Sequence, residues 1–502
     1  MDNLKKSKKI FLFELLSQVV TIAFGLALPH LFLVNYGSEV NGLLNSLQQF
    51  LVFLGLFEAG LGAATLQALY RPLALDDWDG VNGILSASSI FFRRIARLYL
   101  LGLIAISLLY PIVVDSQLSF LTVCGAAFFS GAGNVVLFYF QMQYRCLLQV
   151  DGKSYITANL NTVTTIVINL SKVVLIRLNV NIVLILAVSF LMQCLQAVYI
   201  LWYIRSYPRL RLDVPPNTQA LSQRNFTLFH QINYLIFQNT DVMILTVFCG
   251  LRVVSVYSVF KMISYNLETI IRIPFNSVWF ILGQNYQTDK PLFIRRLDLL
   301  GSYFVALFYG LYSVALFLYL PFMRLYTAGV TDANYVDPLL AVLFVLIPLM
   351  YLGQTLAGNT VGIAGHFRQT LPFAILESTI NLTVSLVGVY FWGIYGVLLG
   401  TVAALTYRTN RLILYANHVL LERSAWKTYA IYGVNIVSFA LTQLLFRWIF
   451  DSAWLDSYPR LFVAGFVCTV ISLLVHAGGQ LLVFPHCRAG TRELLQSLRK
   501  QG

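Results

Sequence analysis

The chain has 502 residues, 58% of them hydrophobic and only 11% charged, and it carries a net charge of +13. Globular proteins average about 25% charged residues, so this composition leaves no room for a sizeable soluble domain and marks an integral membrane protein. A pI near 9.4 would suit nucleic acid in a soluble chain. In a polytopic one the excess Lys and Arg belongs to cytoplasmic loops, and no nucleic-acid partner is expected.

Windows of about 20 apolar residues predict fourteen transmembrane helices, centred on 10–34, 43–69, 95–114, 118–143, 155–177, 180–204, 226–248, 253–283, 300–322, 338–362, 370–391, 393–415, 428–449 and 460–484. The basic N-terminus, Met1–Lys9, leads into some 25 mostly apolar residues without a small-residue cleavage site, so it is read as the first span and not as a signal peptide. Of the 34 Lys and Arg, 26 fall on the N-terminal side of these spans and five on the other: Arg177, Arg252, Arg324, Arg447 and Arg460. Lys172, Lys261 and Arg272 remain within spans. That asymmetry predicts both termini in the cytoplasm and an even number of spans.

The chain also repeats itself. Gly37 after span 1 matches Gly250 after span 7 at an offset of 213, Gly152 matches Gly365 at the same offset, and Asn169-Leu170 matches Asn381-Leu382 at 212. A six-span unit repeated this way starts each copy on the same side, which makes a parallel repeat with the transport site expected between the halves. The expected domains are an N-lobe over 1–205, a basic cytoplasmic linker over 206–225, a C-lobe over 226–425, and two further helices with a cytoplasmic tail over 426–502. The two C-terminal helices stand outside the repeat. External connections are short throughout, so function must lie among the helices.

The strongest functional signal is in spans 7 and 8. Lys261, Tyr265, Glu268 and Arg272 sit at i, i+4, i+7 and i+11, one face of a helix. Charges at membrane depth cost roughly 2.5–3.5 kcal/mol each and face a cavity or a partner. Two readings stand: a solvated wall that engages phosphate or another acidic group, or an ion pair buried between helices. Pro274, two residues on, favours a kink. Span 7 answers with His230, Tyr234, Gln238 and Asp241, and Asp241 is a candidate for carrying a coupling proton or ion. In the first half, Glu14 and Gln18 on span 1 and Gln48, Gln49 and Glu58 on span 2 occupy the corresponding helices. Glu14 is either a coupling group or a side chain snorkelling toward the Lys-rich terminus, and Glu58 either couples or pairs with a nearby Arg. Lys172 and Glu377 are isolated charges for which a pairing or interfacial role is expected; Asn169 and Asn381 are expected to bond between helices.

The missing motifs narrow the chemistry. Gly152-Lys153-Ser154 resembles the end of a P-loop, but position 147 is Leu, so the motif fails and no ATP site is expected. No metal-ligand or hydrolase motif appears, and Cys124, Cys146, Cys194, Cys249, Cys468 and Cys487 show no C-x-x-C pairing. The reading is of a protein that is not an enzyme and has no cofactor.

Tyr36-Gly37-Ser38-Glu39-Val40-Asn41-Gly42-Leu43, then Phe57-Glu58-Ala59-Gly60-Leu61-Gly62, resembles the start of the Wzx-type polysaccharide flippases. So do Ala364-Gly365, Glu377, Asn381-Leu382 and Gly393-Ile394-Tyr395-Gly396-Val397-Leu398-Leu399-Gly400-Thr401. These flippases are the O-antigen and capsule branch of the multidrug/oligosaccharidyl-lipid/polysaccharide (MOP) exporter superfamily, and the resemblance covers most of 1–425. It implies an all-α, V-shaped fold of two six-helix bundles plus two C-terminal helices, with a central cavity lined by spans 1, 2, 7 and 8. It further implies alternating access, driven by an ion gradient or membrane potential, that moves undecaprenyl-diphosphate-linked oligosaccharide across a bacterial plasma membrane. On that reading Lys261 and Arg272 meet the diphosphate, Arg252 lies near the outer mouth, and Tyr234, Tyr257 and Tyr265 stack on sugars. Membrane lipids, a polysaccharide polymerase and assembly proteins are the further candidate partners. The rivals are an ion-coupled multidrug antiporter of the same superfamily, which would want an acidic cavity, and a polytopic polymerase or glycosyltransferase, which would want a long external loop. A non-transporting scaffold is the third.

Overall fold

The computed structural model describes the backbone of residues 2–58, 61–218 and 239–492; the side chains of 2–21, 57, 63, 273–281, 283–285, 287, 288, 367 and 452 lie outside that description. Among the described residues the fold is helical and contains no strand. In chain order the helices are α1 (Asp2–Leu54), α2 (Leu61–Ala74), α3 (Trp78–Val113), α4 (Phe120–Val136), α5 (Met142–Val150), α6 (Ser154–Arg177) and α7 (Ile182–Ile204). After the linker come α8 (Asn239–Phe248), α9 (Leu251–Thr288), α10 (Lys290–Tyr326), α11 (Pro338–Ala364), α12 (Phe367–Trp392), α13 (Ile394–Tyr415), α14 (Trp426–Ile449) and α15 (Tyr458–Val483). A π-helical turn, Leu137–Gln141, joins α4 to α5, so these two make one span. Most predicted spans coincide with one of these helices or an arm of one; span 2 runs from the second arm of α1 into α2, span 4 from α4 into α5, and for span 7 only the part from Asn239 is described. Among the described residues, nine helices are long and apolar enough to cross a bilayer.

The repeat is written in the backbone. Gly37 breaks α1 into two arms at φ 82°, and Gly250 separates α8 from α9 at φ 81°. Gly152 ends α5 at φ 70° and Gly365 ends α11 at φ 74°. Four left-handed positions that disfavour a Cβ thus fall in two pairs at the offset seen in the sequence. Helix starts follow the same rule: Trp78 and Lys290 are 212 apart, Ser154 and Phe367 are 213, and Ile182 and Ile394 are 212. Asp77 and Asp289 cap α3 and α10 in the same way, accepting from the N–H of Gly80 and Leu292.

The exposure pattern is that of a protein in lipid. On α15 Phe462 and Leu482 are about four-fifths exposed while Ser472, His476 and Gln480 are fully buried. The buried stripe recurs at every fourth position, and its partners are polar: Ser472 donates to the Gly310 carbonyl at 2.9 Å, and Ser313 of α10 bonds Thr442 of α14 at 2.7 Å. Polar groups hold the bundle together and apolar ones face outward, as expected where the solvent is hydrocarbon. The chain is a multi-pass membrane protein.

By packing, the chain divides into two compact units, 1–258 and 259–502, with the division falling inside α9. In the first, Leu43, Leu47, Val123, Ala126, Ala127, Ile176 and Ile185 form a fully buried centre. The start of the linker lies along α3. Asn82 donates to the Arg209 carbonyl at 2.9 Å and accepts from the Arg211 N–H at 3.0 Å, and Ser86 reaches the carbonyls of Leu212 and Val214. In the second unit α12 and α13 approach most closely at glycines; a Cβ on Gly396 would sit 2.0 Å from the Gly388 carbonyl oxygen.

Candidate functional site

The first unit holds an open cavity of about 810 Å³, within the range of roughly 300–1,000 Å³ typical of ligand sites. Four helices line it with polar residues at helical spacing: Asn41, Asn45 and Gln48 from α1, Ser130 and Asn134 from α4, Asn169 and Lys172 from α6, and Ser189 and Gln193 from α7. Residues three, four or seven apart share a helix face, so each helix presents a polar stripe to the same space. Asn45 donates to the Asn41 carbonyl at 2.8 Å and Asn134 to the Tyr99 hydroxyl at 2.9 Å, which orients both amides. Among the described residues no carboxylate lines this cavity.

Among the described residues Lys172 is the one cation on that wall. It is half-buried and makes no ion pair or hydrogen bond among the described residues. Of the two roles expected for it from the sequence, pairing or interfacial, the described residues show no pair. The signal that points to it is collective: an isolated lysine reads as a stray charge until the amides on α1, α4 and α7 are seen to converge on it. Asn169 joins the same wall, whereas Asn381 bonds the next helix as expected, donating to Thr401 Oγ1 at 3.0 Å.

The hairpin of α8 and the start of α9 packs within the first unit. Asn41 donates to Ser255 Oγ at 2.7 Å. Thr246 donates to the Val242 carbonyl at 2.7 Å, so its oxygen accepts from Ser46, 2.7 Å away, and Ser46 in turn accepts from Tyr110 at 2.7 Å. Asp241 is buried on α8 and accepts from the Tyr257 hydroxyl at 3.0 Å. Arg252 is exposed in the first turn of α9 and donates to Gln117 Oε1 at 2.8 Å, while Glu39 accepts from Ser116 and the Gln117 N–H. Glu58 accepts from the Gly62 N–H at 3.1 Å and so satisfies a donor in the first turn of α2, with no Arg partner among the described residues.

In the second unit α9 carries the four-residue stripe. Glu268 and Arg272 pair, with Nε donating to Oε1 at 2.7 Å; Arg272 also donates to Thr355 Oγ1 at 3.0 Å and lies 5.5 Å from the Tyr351 ring centroid. A guanidinium held by a carboxylate, a hydroxyl and a ring is fixed in position against α11. Lys261 is partly exposed and Tyr265 largely so. Glu377, fully buried on α12, pairs with Arg408 of α13, and Gln354 of α11 bridges both. Gln48 lines the cavity described above. Tyr234 and Gln238 lie outside the described residues, as does His230, and the side chains of Glu14 and Gln18 lie outside them too. No group of three or more His, Cys, Asp or Glu able to hold a metal occurs among the described residues.

Solved structures resemble this architecture over nearly its whole length. The lipid II flippase MurJ in an inward closed conformation matches with a TM-score of 0.68 at 13% identity, covering 93% of this chain and 98% of its own. An inward-facing multidrug resistance MATE family transporter of the MOP superfamily matches at 0.59 and 14%, covering 79% of this chain and 94% of its own. The fold is that of the MOP exporters. A further MATE structure in a bent conformation gives a TM-score of 0.50 at 13% identity, over 84% of this chain and 94% of its own. No family model and no curated protein matches the sequence. At these identities the likeness concerns the fold alone, and the choice of substrate within it rests on the chain's own residues.

Proposed function

We propose that this chain is a flippase that carries oligosaccharide linked to undecaprenyl diphosphate from the inner to the outer leaflet of a bacterial plasma membrane by alternating access. The observation that carries the reading is the cavity of the first unit: about 810 Å³, with stripes of amides and hydroxyls set among apolar residues such as Phe24, Phe32 and Phe129, and with Lys172 as the single charge among the described residues that line it. Amides pair with the many hydroxyls of a glycan through both donors and acceptors. A lysine without a carboxylate partner attracts an anionic linker. A multidrug antiporter that selects organic cations would want the reverse, a carboxylate on the wall. The MOP-type fold, shared with a structure described as a lipid II flippase, supports the same reading.

Lys172, Lys261 and Arg272 are then the proposed contacts for the diphosphate, with Gln48 and Tyr265 for sugar and Arg252 near the mouth. Tyr234, Gln238, Gln18 and Glu268 complete the proposed set. Asp241, Glu14 and Glu58 are the carboxylates through which an ion gradient or the membrane potential would be coupled. The protein acts as a transporter and not an enzyme, with cytoplasmic termini and no ATP site of its own.

Complementation tests this. A strain lacking its own flippase for a matching glycan should regain surface polysaccharide with the wild-type chain and fail to do so with Lys172→Gln, Lys261→Ala or Arg272→Ala at equal expression. Restoration by all three variants would refute the cationic path while leaving transport intact. Drug resistance conferred by the wild type, with no glycan exported, would move the chain to the antiporter reading.

A further inference from the structure

A second cavity, independent of the proposed function, lies at one end of the second unit between α10, α11 and α14. It measures about 600 Å³. Arg324, in the last turn of α10, and Arg447, in the last turn of α14, both line it. They are two of the five cations on the side opposite the other loop charges, where the positive-inside rule disfavours Lys and Arg. Of the others, Arg252 bonds Gln117 and Arg460 pairs with Asp456 at 2.6 Å. Arg177 is exposed at the end of α6.

Arginine near a helix C-terminus has an ordinary role, bonding the last carbonyls and offsetting the helix dipole. Neither of these does so. Arg324 and Arg447 make no hydrogen bond or ion pair among the described residues, to a carbonyl or to anything else. Asp451, on the same wall, accepts from the Ala453 N–H at 3.1 Å. Two unheld guanidiniums line one space that they share with Gln443, Asp451 and an apolar wall that includes Phe317 and Leu320. Next to them Trp448 is 86% exposed, and Trp at that level of a membrane helix anchors at the lipid–water boundary.

We infer that this crevice binds the headgroup phosphate of an anionic glycerophospholipid, with Arg324 and Arg447 as its donors and the apolar wall against the upper acyl chain. Planar guanidinium forks match phosphate oxygens, and basic pockets between membrane helices take anionic lipid headgroups. Charge selects among phosphates. Two arginines against one aspartate leave a net charge of about +1, which suits a singly charged phosphodiester better than the more highly charged diphosphate of a polyprenyl carrier.

The test uses the purified full chain in detergent with lipid binding followed by native mass spectrometry. Phosphatidylglycerol, phosphatidylcholine and undecaprenyl diphosphate are each titrated onto wild type, Arg324→Gln/Arg447→Gln and the control Arg460→Gln. Phosphatidylglycerol should bind wild type and control equally and the double variant at least tenfold more weakly, with phosphatidylcholine indifferent to all three. Melting without lipid should be the same for the three proteins. If the double variant melts early, Arg324→Lys/Arg447→Lys takes its place and should show a smaller loss. Equal retention of phosphatidylglycerol by the double variant overturns the site. Loss of undecaprenyl diphosphate, with phosphatidylglycerol unchanged, overturns the assignment to a phospholipid. Neither result bears on whether the chain is a flippase, which the complementation decides.

Discussion

Gly42 lies so close to Leu251 that a Cβ on it would sit 1.8 Å from the Leu251 carbonyl oxygen. The second arm of α1 and the start of α9 therefore meet backbone to backbone, a contact that only a glycine permits. Gly42→Ala must push the two helices apart, and overpacking of this kind costs about 1–3 kcal/mol. The expected outcome is a melting temperature lowered by several degrees, measured on purified protein. Gly478→Ala, where a Cβ meets nothing within 4 Å, is the control and should melt like the wild type.

The same junction carries the hydroxyl chain from Tyr110 through Ser46 to Thr246. The side-chain oxygens of Ser46 and Thr246 are 2.7 Å apart, so the two residues are direct neighbours across the junction. In an alternating-access cycle helices such as these must part and rejoin. Ser46→Cys/Thr246→Cys should therefore cross-link on mild oxidation, joining the fragments produced at a cleavage site engineered into the linker. Glycan export should stop in the oxidised cells and resume on reduction. A cross-link that forms fully and leaves export unchanged would mean that this junction stays closed throughout the cycle.

Under the proposed function, Lys172 trades stability for binding. A charge at membrane depth costs up to about 2.5–3.5 kcal/mol, reduced where a hydrated cavity shares the field. Nothing on the described wall offsets it. Lys172→Met should accordingly melt higher than the wild type and export no glycan. A structural lysine would behave in the opposite way, with its loss lowering the melting temperature and sparing transport in the folded fraction.

What was legible in the sequence had a local physical signature. Gly37, Gly250, Gly152 and Gly365 stand at left-handed φ, a conformation that selects glycine wherever it occurs, so an internal repeat of backbone shape surfaced as a repeat of residue type. Helix spans were legible for the same reason, since hydrocarbon imposes length and apolarity residue by residue. Partnerships were not. Glu268 and Arg272 are four apart, and their pairing was one of two open readings. For Lys172 the sequence offers a pairing or an interfacial role, and no residue near it in sequence announces that it shares a cavity wall with amides from three other helices. Glu377 and Arg408 are joined through α12, α13 and Gln354 of α11, yet Arg408 was counted with the loop charges. Such contacts depend on which helices are neighbours, which periodicity alone does not encode.

That last pair offers a sharp test. The Glu377 side chain is fully buried, and Arg408 keeps just over a quarter of its side chain exposed. Gln354 donates to Glu377 Oε1 at 3.1 Å, and its oxygen accepts from Arg408 at 3.0 Å. Removing one partner of a buried ion pair strands the other charge and costs about 3–5 kcal/mol, whereas replacing both with neutral groups of similar size is often close to neutral. Arg408→Gln alone should therefore lower the melting temperature of the purified protein sharply, and Glu377→Gln alone should do so as well. The double variant Glu377→Gln/Arg408→Gln should recover most of the loss, because three amides on α11, α12 and α13 can still bond one another. Additive losses in the double variant would show that the two charges act separately, each held by contacts of its own. Recovery, measured as a coupling term across the four proteins, would identify the pair as the clamp that joins these three helices.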